Sequence, residues 1–218
     1  MSPSSLLRYR PFMSSTRLRF ARLYPIVDLR PGRAEAALEL ARALVAAGAP
    51  WLQLRAKAVG DGEFLEIARR VVRLGAEAAT RVIVNDRCDL ARLSGAAGVH
   101  LGQEDLPLDA ARRILDPGAI VGVSTHDVLE AGRAEREGAD YVGFGAVYAT
   151  TSKSDVTTPR GPAAIAEVRA AVRLPIVAIG GIDESRAPEV LAAGADAFAT
   201  IGTLESSSDP TALVRRWA

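Results

Sequence analysis

Eight short runs of apolar, largely β-branched or aromatic residues recur along this chain, and a longer stretch of helical period follows each. The runs fall at residues 23–27, 51–54, 81–84, 98–101, 120–123, 141–144, 176–179 and 197–201. Helices are expected at 33–48, 62–79, 86–94, 108–115, 127–138, 162–172, 184–193 and 209–217, where Ala, Leu, Glu and Arg dominate. Capping or turn residues stand at several of their starts: Gly32, Asp61, Thr125, Asp183 and Asp209. Strands this apolar need cover on both faces, so the alternation implies a parallel sheet coated with helices. Eight such units in 218 residues favour a single α/β (β/α)8 TIM barrel. An open doubly wound sheet is the alternative. Its dinucleotide fingerprint is missing, because the turn after the first run reads Asp28, Leu29, Arg30, Pro31 and a single Gly32.

The barrel is assigned to residues 23–218, leaving 1–22 as a basic tail. Arg8, Arg10, Arg17, Arg19 and Arg22 occur there without an acidic residue. Such a start resembles a transit peptide, and an upstream extension before Met13 explains it equally well. No stretch of the chain reads as a membrane span, and a net charge of +1 gives no footprint for nucleic acid. The single cysteine, Cys88, excludes an intrachain disulfide and any Cys-rich zinc site. A cytoplasmic protein with small-molecule partners is the expectation, and a homo-oligomer is left open.

In a (β/α)8 barrel the reactive groups sit past the C-terminal ends of the strands. Here those positions are polar. Asp28 follows the first run; Gln53, Arg55 and Lys57 finish the second; Asn85 and Asp86 close the third. Gln103, Glu104 and Asp105 follow the fourth, and Ser124, Thr125 and His126 the fifth. Thr150, Thr151, Ser152 and Lys153 lie in the loop after the sixth, while Gly180, Gly181 and Gly202 end the last two.

Gln53, Arg55 and Lys57 share one strand parity, so they point to one side. Two cations and an amide together suit a polyanion, unless they merely face solvent. The use of lysine is itself informative: of 27 cationic side chains only Lys57 and Lys153 are lysine. Both fall at the presumed mouth, where a mobile point charge differs from an arginine fork. Asp86 and Asp105 suit the one or two carboxylates of a magnesium site, or else cap a helix and a turn. The glycines after the last two strands allow a phosphate to approach backbone N–H groups. His100 is expected to be structural in the fourth strand. His126 suits a proton carrier or part of a cap.

Six strings in order carry a family resemblance: residues 53–57 (QLRAK), 84–87 (VNDR), 98–105 (GVHLGQED), 122–126 (GVSTH), 150–153 (TTSK) and 178–182 (AIGGI). With the LYPIVD of residues 23–28, they resemble thiamine phosphate synthases across nearly everything after the tail. The resemblance implies a transferase. It would couple 4-amino-5-hydroxymethyl-2-methylpyrimidine diphosphate to a thiazole phosphate carboxylate, giving thiamine phosphate, pyrophosphate and CO2. It further implies that Gln53, Arg55, Lys57 and Asn85 hold the pyrimidine diphosphate and that Asp86 and Asp105 hold Mg2+. Ser124 would contact the pyrimidine and Lys153 the departing pyrophosphate, so that Arg55, Lys57, Ser124 and Lys153 form the catalytic set. Thr150, Ser152, Gly181, Ile201 and Gly202 would bind the thiazole phosphate. Ala56 and Gly202 depart from the family's frequent glutamate and serine.

The related thiazole tautomerase, which uses a histidine at the position of His126, is the first alternative. Asp86, Asp105 and Gln53 favour the synthase, because diphosphate ionisation needs those groups. A Schiff-base aldolase using Lys153 and a noncatalytic phosphate-ligand sensor are the others.

Overall fold

The computed structural model describes residues 18–150 and 158–218. Eight strands, β1 (Leu23–Leu29), β2 (Trp51–Ala56), β3 (Arg81–Asn85), β4 (Gly98–Leu101), β5 (Ile120–Thr125), β6 (Tyr141–Phe144), β7 (Ile176–Ile179) and β8 (Ala197–Thr200), alternate with helices. All neighbouring pairs are parallel, and β8 returns to β1, closing a barrel. The helices are α1 (Ala34–Ala46), α2 (Asp61–Glu77), α3 (Cys88–Ser94), α4 (Leu108–Ile114) and α5 (Val128–Glu137). They continue with α6 (Gly161–Ala171), α7 (Ala187–Ala192), α8 (Gly202–Ser206) and α9 (Pro210–Trp217).

The strand periodicity splits the interior into two cores. Outward side chains such as Val27, Leu52, Leu54, Val84 and Phe144 meet the buried stripes of the helices, including Leu38, Leu44, Phe64 and Val71. Inward side chains form a separate cluster inside the barrel, with Tyr24, Ile26, Trp51, Ile83, Tyr141, Val177 and Ile201. Four strands run further than their apolar runs: β1 takes in Asp28 and Leu29, β2 Arg55 and Ala56, β3 Asn85, and β5 Ser124 and Thr125. The ladder explains this, since Asp28 pairs in register with Arg55 and Ser124 with Gly143.

Local chemistry sets the helix ends. Asp127 caps α5 by accepting from the Glu130 N–H, displacing the expected Thr125, which lies inside the strand. Asp209 caps α9, accepting from Thr211 and Ala212, with Pro210 in the first turn. Gly138 ends α5 in the left-handed conformation that closes a helix cheaply for glycine. Helix α8, absent from the expected pattern, is only five residues long and too short for periodicity to reveal. Two residues of the stretch read as tail, Leu18 and Phe20, pack on the inner cluster at the barrel's N-terminal end. No helix among the described residues is long and apolar enough to cross a membrane.

Candidate active site

At the C-terminal mouth, inward-facing positions of adjacent strands place charge beside charge. Gln53 and Arg55 extend the inward row of β2 and are buried, at 3% and 9% exposure. Arg55 Nη1 lies 2.5 Å from Asp28 Oδ1, and both side chains are about nine-tenths buried. Arg30 Nε holds the other Asp28 oxygen at 3.2 Å, and Arg30 Nη2 reaches Glu205 of α8 at 2.9 Å. Alternating charges thus run Glu205, Arg30, Asp28, Arg55 around one side of the mouth. Burying an arginine is tolerable only because a carboxylate faces it. Even so, Arg55 Nε is a buried nitrogen without a hydrogen-bond partner among the described residues. Such a donor marks a place where an acceptor would gain.

Lys57, just past β2, is more than half exposed, and its Nζ lies 2.6 Å from Asp86 Oδ2. Asp86 follows β3 at φ 65°, a left-handed conformation that costs a non-glycine residue energy and aims its side chain. Its N–H is held by the His100 carbonyl at 2.7 Å. It caps nothing: the residue preceding α3 is Arg87, which makes no side-chain cap bond. Asp105 does close a turn, accepting the Gly102 N–H at 2.6 Å. Burial pushes the Asp105 carboxyl above the usual carboxylate range; the Gly102 N–H opposes this and the charge of Asp86 adds to it. Two carboxylates pressed together in this way suit a hard divalent cation that brings its own waters and shares ligand oxygens. No group of three or more metal-type side chains occurs among the described residues.

Ser124 lies further round the mouth, its Oγ 2.9 Å from His100 Nε2. Gln103 Nε2 donates to the Ser124 carbonyl and Arg133 donates to Gln103 Oε1 at 2.6 Å, which fixes the backbone there. His126 is tied to its own helix: both its N–H and its Nδ1 meet Glu130 Oε2. Across the mouth, Gly180 and Gly181 have φ of 106° and 61°, and a Cβ on Gly180 would fall 2.7 Å from Ala146 Cα. Glycine is therefore required for the loop after β7 to pack against the segment after β6, where Tyr148 N donates to the Gly180 carbonyl. Arg186 covers the Tyr148 ring at 4.5 Å. Ile201 precedes α8 and Gly202 opens it.

The structure thus brings Gln53, Arg55, Lys57, Asn85, Asp86, Asp105 and Ser124 to one mouth, with Gly181, Ile201 and Gly202 at the ends of the last two strands. Thr150 is the last described residue before the gap; Ser152 and Lys153 lie outside the described residues. Sequence reasoning named Asp28 without a role and missed Arg30, Glu205 and the side-chain partners of His100. Parity along β1, Tyr24, Ile26, Asp28, was the available signal for the first of these.

Comparison with known proteins bears on the same residues. The family model described as thiamine monophosphate synthase matches residues 23–204. The chain belongs to the thiamine monophosphate synthase family. Thiamine-phosphate synthase of Moorella thermoacetica is 43% identical over 194 residues, covering 89% of this chain and 92% of the relative. That of Methanocella arvoryzae is 46% identical over 193 residues, covering 88% and 91%. Among solved structures, thiamine phosphate pyrophosphorylase from Pyrococcus furiosus superposes with a TM-score of 0.80 at 34% identity, covering 89% of this chain and 92% of that one. A 3-hexulose-6-phosphate synthase, at 21% identity and a TM-score of 0.65, shares the fold alone.

Proposed function

We propose that this chain is a thiamine-phosphate synthase, joining the pyrimidine diphosphate to the thiazole phosphate carboxylate with release of pyrophosphate and CO2. One observation carries the reading: a buried, carboxylate-steered arginine and the Lys57–Asp86–Asp105 group share one barrel mouth in a family member. In the reaction the bond between the pyrimidine methylene and the diphosphate oxygen breaks, and its electron pair leaves with the diphosphate. The thiazole nitrogen then donates its pair to the methylene cation, the carboxylate departs as CO2, and the electron pair it leaves on the thiazole takes up a proton from solvent.

The protein's contribution is charge placed in advance where negative charge grows, which is usually the largest catalytic effect. Arg55 offers a fork held in one orientation by Asp28, with Nε left for an oxygen of the ligand. Lys57 adds a mobile charge, and Gln53 and Asn85 add amide contacts. Asp86 and Asp105 would hold a magnesium ion, whose chemistry when bound is to offset charge on the diphosphate. Ser124 would meet the pyrimidine. Backbone at Gly181, Ile201 and Gly202, with Thr150, would receive the thiazole phosphate, where Gly202 supplies no hydroxyl. Work in the cytoplasm accords with this reading and with a lone, unpaired Cys88.

Purified protein mixed with both substrates and magnesium should form thiamine phosphate, and a chelator should abolish formation. Absence of product with magnesium present would overturn the synthase reading, while undiminished synthesis in chelator would overturn the metal assignment.

A further inference from the structure

A chain of side-chain hydrogen bonds crosses the barrel interior beneath the mouth. Gln53 Nε2 meets Tyr24 Oη at 3.4 Å, Tyr24 Oη meets Tyr141 Oη at 2.9 Å, and Tyr141 Oη meets His100 Nδ1 at 3.0 Å. His100 Nε2 then meets Ser124 Oγ at 2.9 Å. Five strands contribute one residue each, and Tyr24, Tyr141, Gln53 and His100 are all buried. Space for the rings is cut into the barrel wall. A Cβ on Gly122 would overlap the Tyr141 ring, and one on Gly143 would come 2.8 Å from His100 Cε1. A barrel interior is ordinarily filled by branched aliphatic side chains. A polar file in that position needs every donor matched to an acceptor.

We infer that this file runs in one direction, from Gln53 to Ser124, and so fixes His100 as the Nε2–H tautomer and Ser124 as a hydrogen-bond donor to the substrate. The amide nitrogen of Gln53 can only donate, so Tyr24 accepts from it and has its own proton for Tyr141. Tyr141, having accepted, donates to Nδ1 of His100, and that nitrogen must then carry a lone pair. The ring proton is left on Nε2, facing Ser124. Ser124 Oγ accepts it, and its own proton is directed to another acceptor at the mouth. Running the file backwards from His100 would leave Tyr24 between two donors with its own proton unmatched in a buried place, which is unfavourable. Burial holds both tyrosines as neutral phenols well into the alkaline range, so each keeps the proton that the file requires.

The consequence rests on the synthase reading, in which Ser124 meets the pyrimidine. Ser124 then selects a pyrimidine that presents an acceptor, such as a ring nitrogen. His100, Tyr141 and Tyr24 are positioning residues, acting on the substrate only through that hydroxyl.

The test has two arms. In 15N-labelled protein at neutral pH, the His100 ring, assigned with His100→Gln because there are only two histidines, should show the Nε2–H tautomer. In Tyr141→Phe the tautomer should become mixed. The KM for the pyrimidine diphosphate should rise about tenfold, the value of one lost hydrogen bond, with the KM for the thiazole phosphate and kcat within about twofold. Ser124→Ala should reproduce that KM change while leaving the His100 tautomer intact. A wild-type Nδ1–H tautomer would mean that the Gln53 amide faces Tyr24 with its oxygen, and overturns the direction. An unchanged tautomer and KM in Tyr141→Phe overturns the positioning role. If the tautomer is as inferred but wild-type protein forms no thiamine phosphate, the synthase reading fails and the direction of the file stands.

Discussion

The two ends of the barrel are made from the same strands and the same inward parity, yet they solve opposite problems. At the N-terminal end aromatic side chains fill the opening: Phe20 stacks on Trp51 at 4.3 Å and presents its ring to the edges of Tyr141 and Tyr24 at 5.1 and 5.7 Å. The Trp51 indole N–H donates to the Arg19 carbonyl, and the Arg81 guanidinium covers its ring. At the C-terminal end, two residues further along β2, Gln53 and then Arg55 occupy the same row, where Arg55 faces Asp28 and, just past the strand, Lys57 faces Asp86. The lesson is a division of labour along one strand. Stability is concentrated where apolar area is buried, and chemistry where charges are held close together at an energetic cost.

That contrast can be broken first from below. Trp51 is 1% exposed and central to the lower layer. Trp51→Ala should lower unfolding free energy by about 3–5 kcal/mol, read by denaturant melts, while the activity of the molecules that remain folded stays near wild type. A large fall in kcat per folded molecule would show that the two ends are not separable. From above, Asp86→Asn keeps a residue type that tolerates the left-handed backbone but removes the charge beside Lys57 and Asp105. Turnover should fall by about 10²–10³, the scale for losing one preorganised electrostatic group, with little loss of melting temperature. A variant that melted early and kept its turnover would reverse the assignment of the two ends.

The same contrast explains what could be read in advance. Eight apolar runs spaced by helical segments are a strong and redundant signal, so the barrel was legible from pattern alone. Gln53 and Arg55 were legible as a pair because parity along a strand is local, whereas Lys57 lies past the end of β2, where parity no longer applies. Asp28–Arg55 was not, because its meaning depends on the register of β1 against β2, which joins residues 27 positions apart. His100 was read as structural for a sound reason, its place inside a strand. Its reach to Ser124 and Tyr141 depends on two glycines on neighbouring strands making room. Phe20 lay in a segment whose composition resembled a tail, and only the packing of its ring shows what it covers.

Phe20 offers a finer cut. Its ring is partly exposed, so Phe20→Ala should cost less than the Trp51 change, about 1.5–3 kcal/mol for the apolar surface uncovered. The pyrimidine KM should not move, since Tyr24 and Tyr141 retain their mutual hydrogen bond. A rise in that KM would mean that the aromatic floor, and not only the hydrogen-bond file above it, sets the position of Ser124.

The smallest effect is a slope. Burial pushes the Tyr24 hydroxyl up to about 12 and Tyr141 well above its ordinary value, whereas both ionise near the ordinary value in the unfolded chain. A raised value means that the folded state holds its phenol protons more tightly. The associated stability is complete below about pH 10 and is lost as pH climbs toward the raised values, by at most about 1.4 kcal/mol per pH unit for each tyrosine. Denaturant melts between pH 9 and 11.5, compared with Tyr24→Phe, isolate this contribution: the variant should lose stability less steeply in that range. Equal slopes would place the Tyr24 hydroxyl in contact with water, and the lower half of the barrel would then be no drier than the upper.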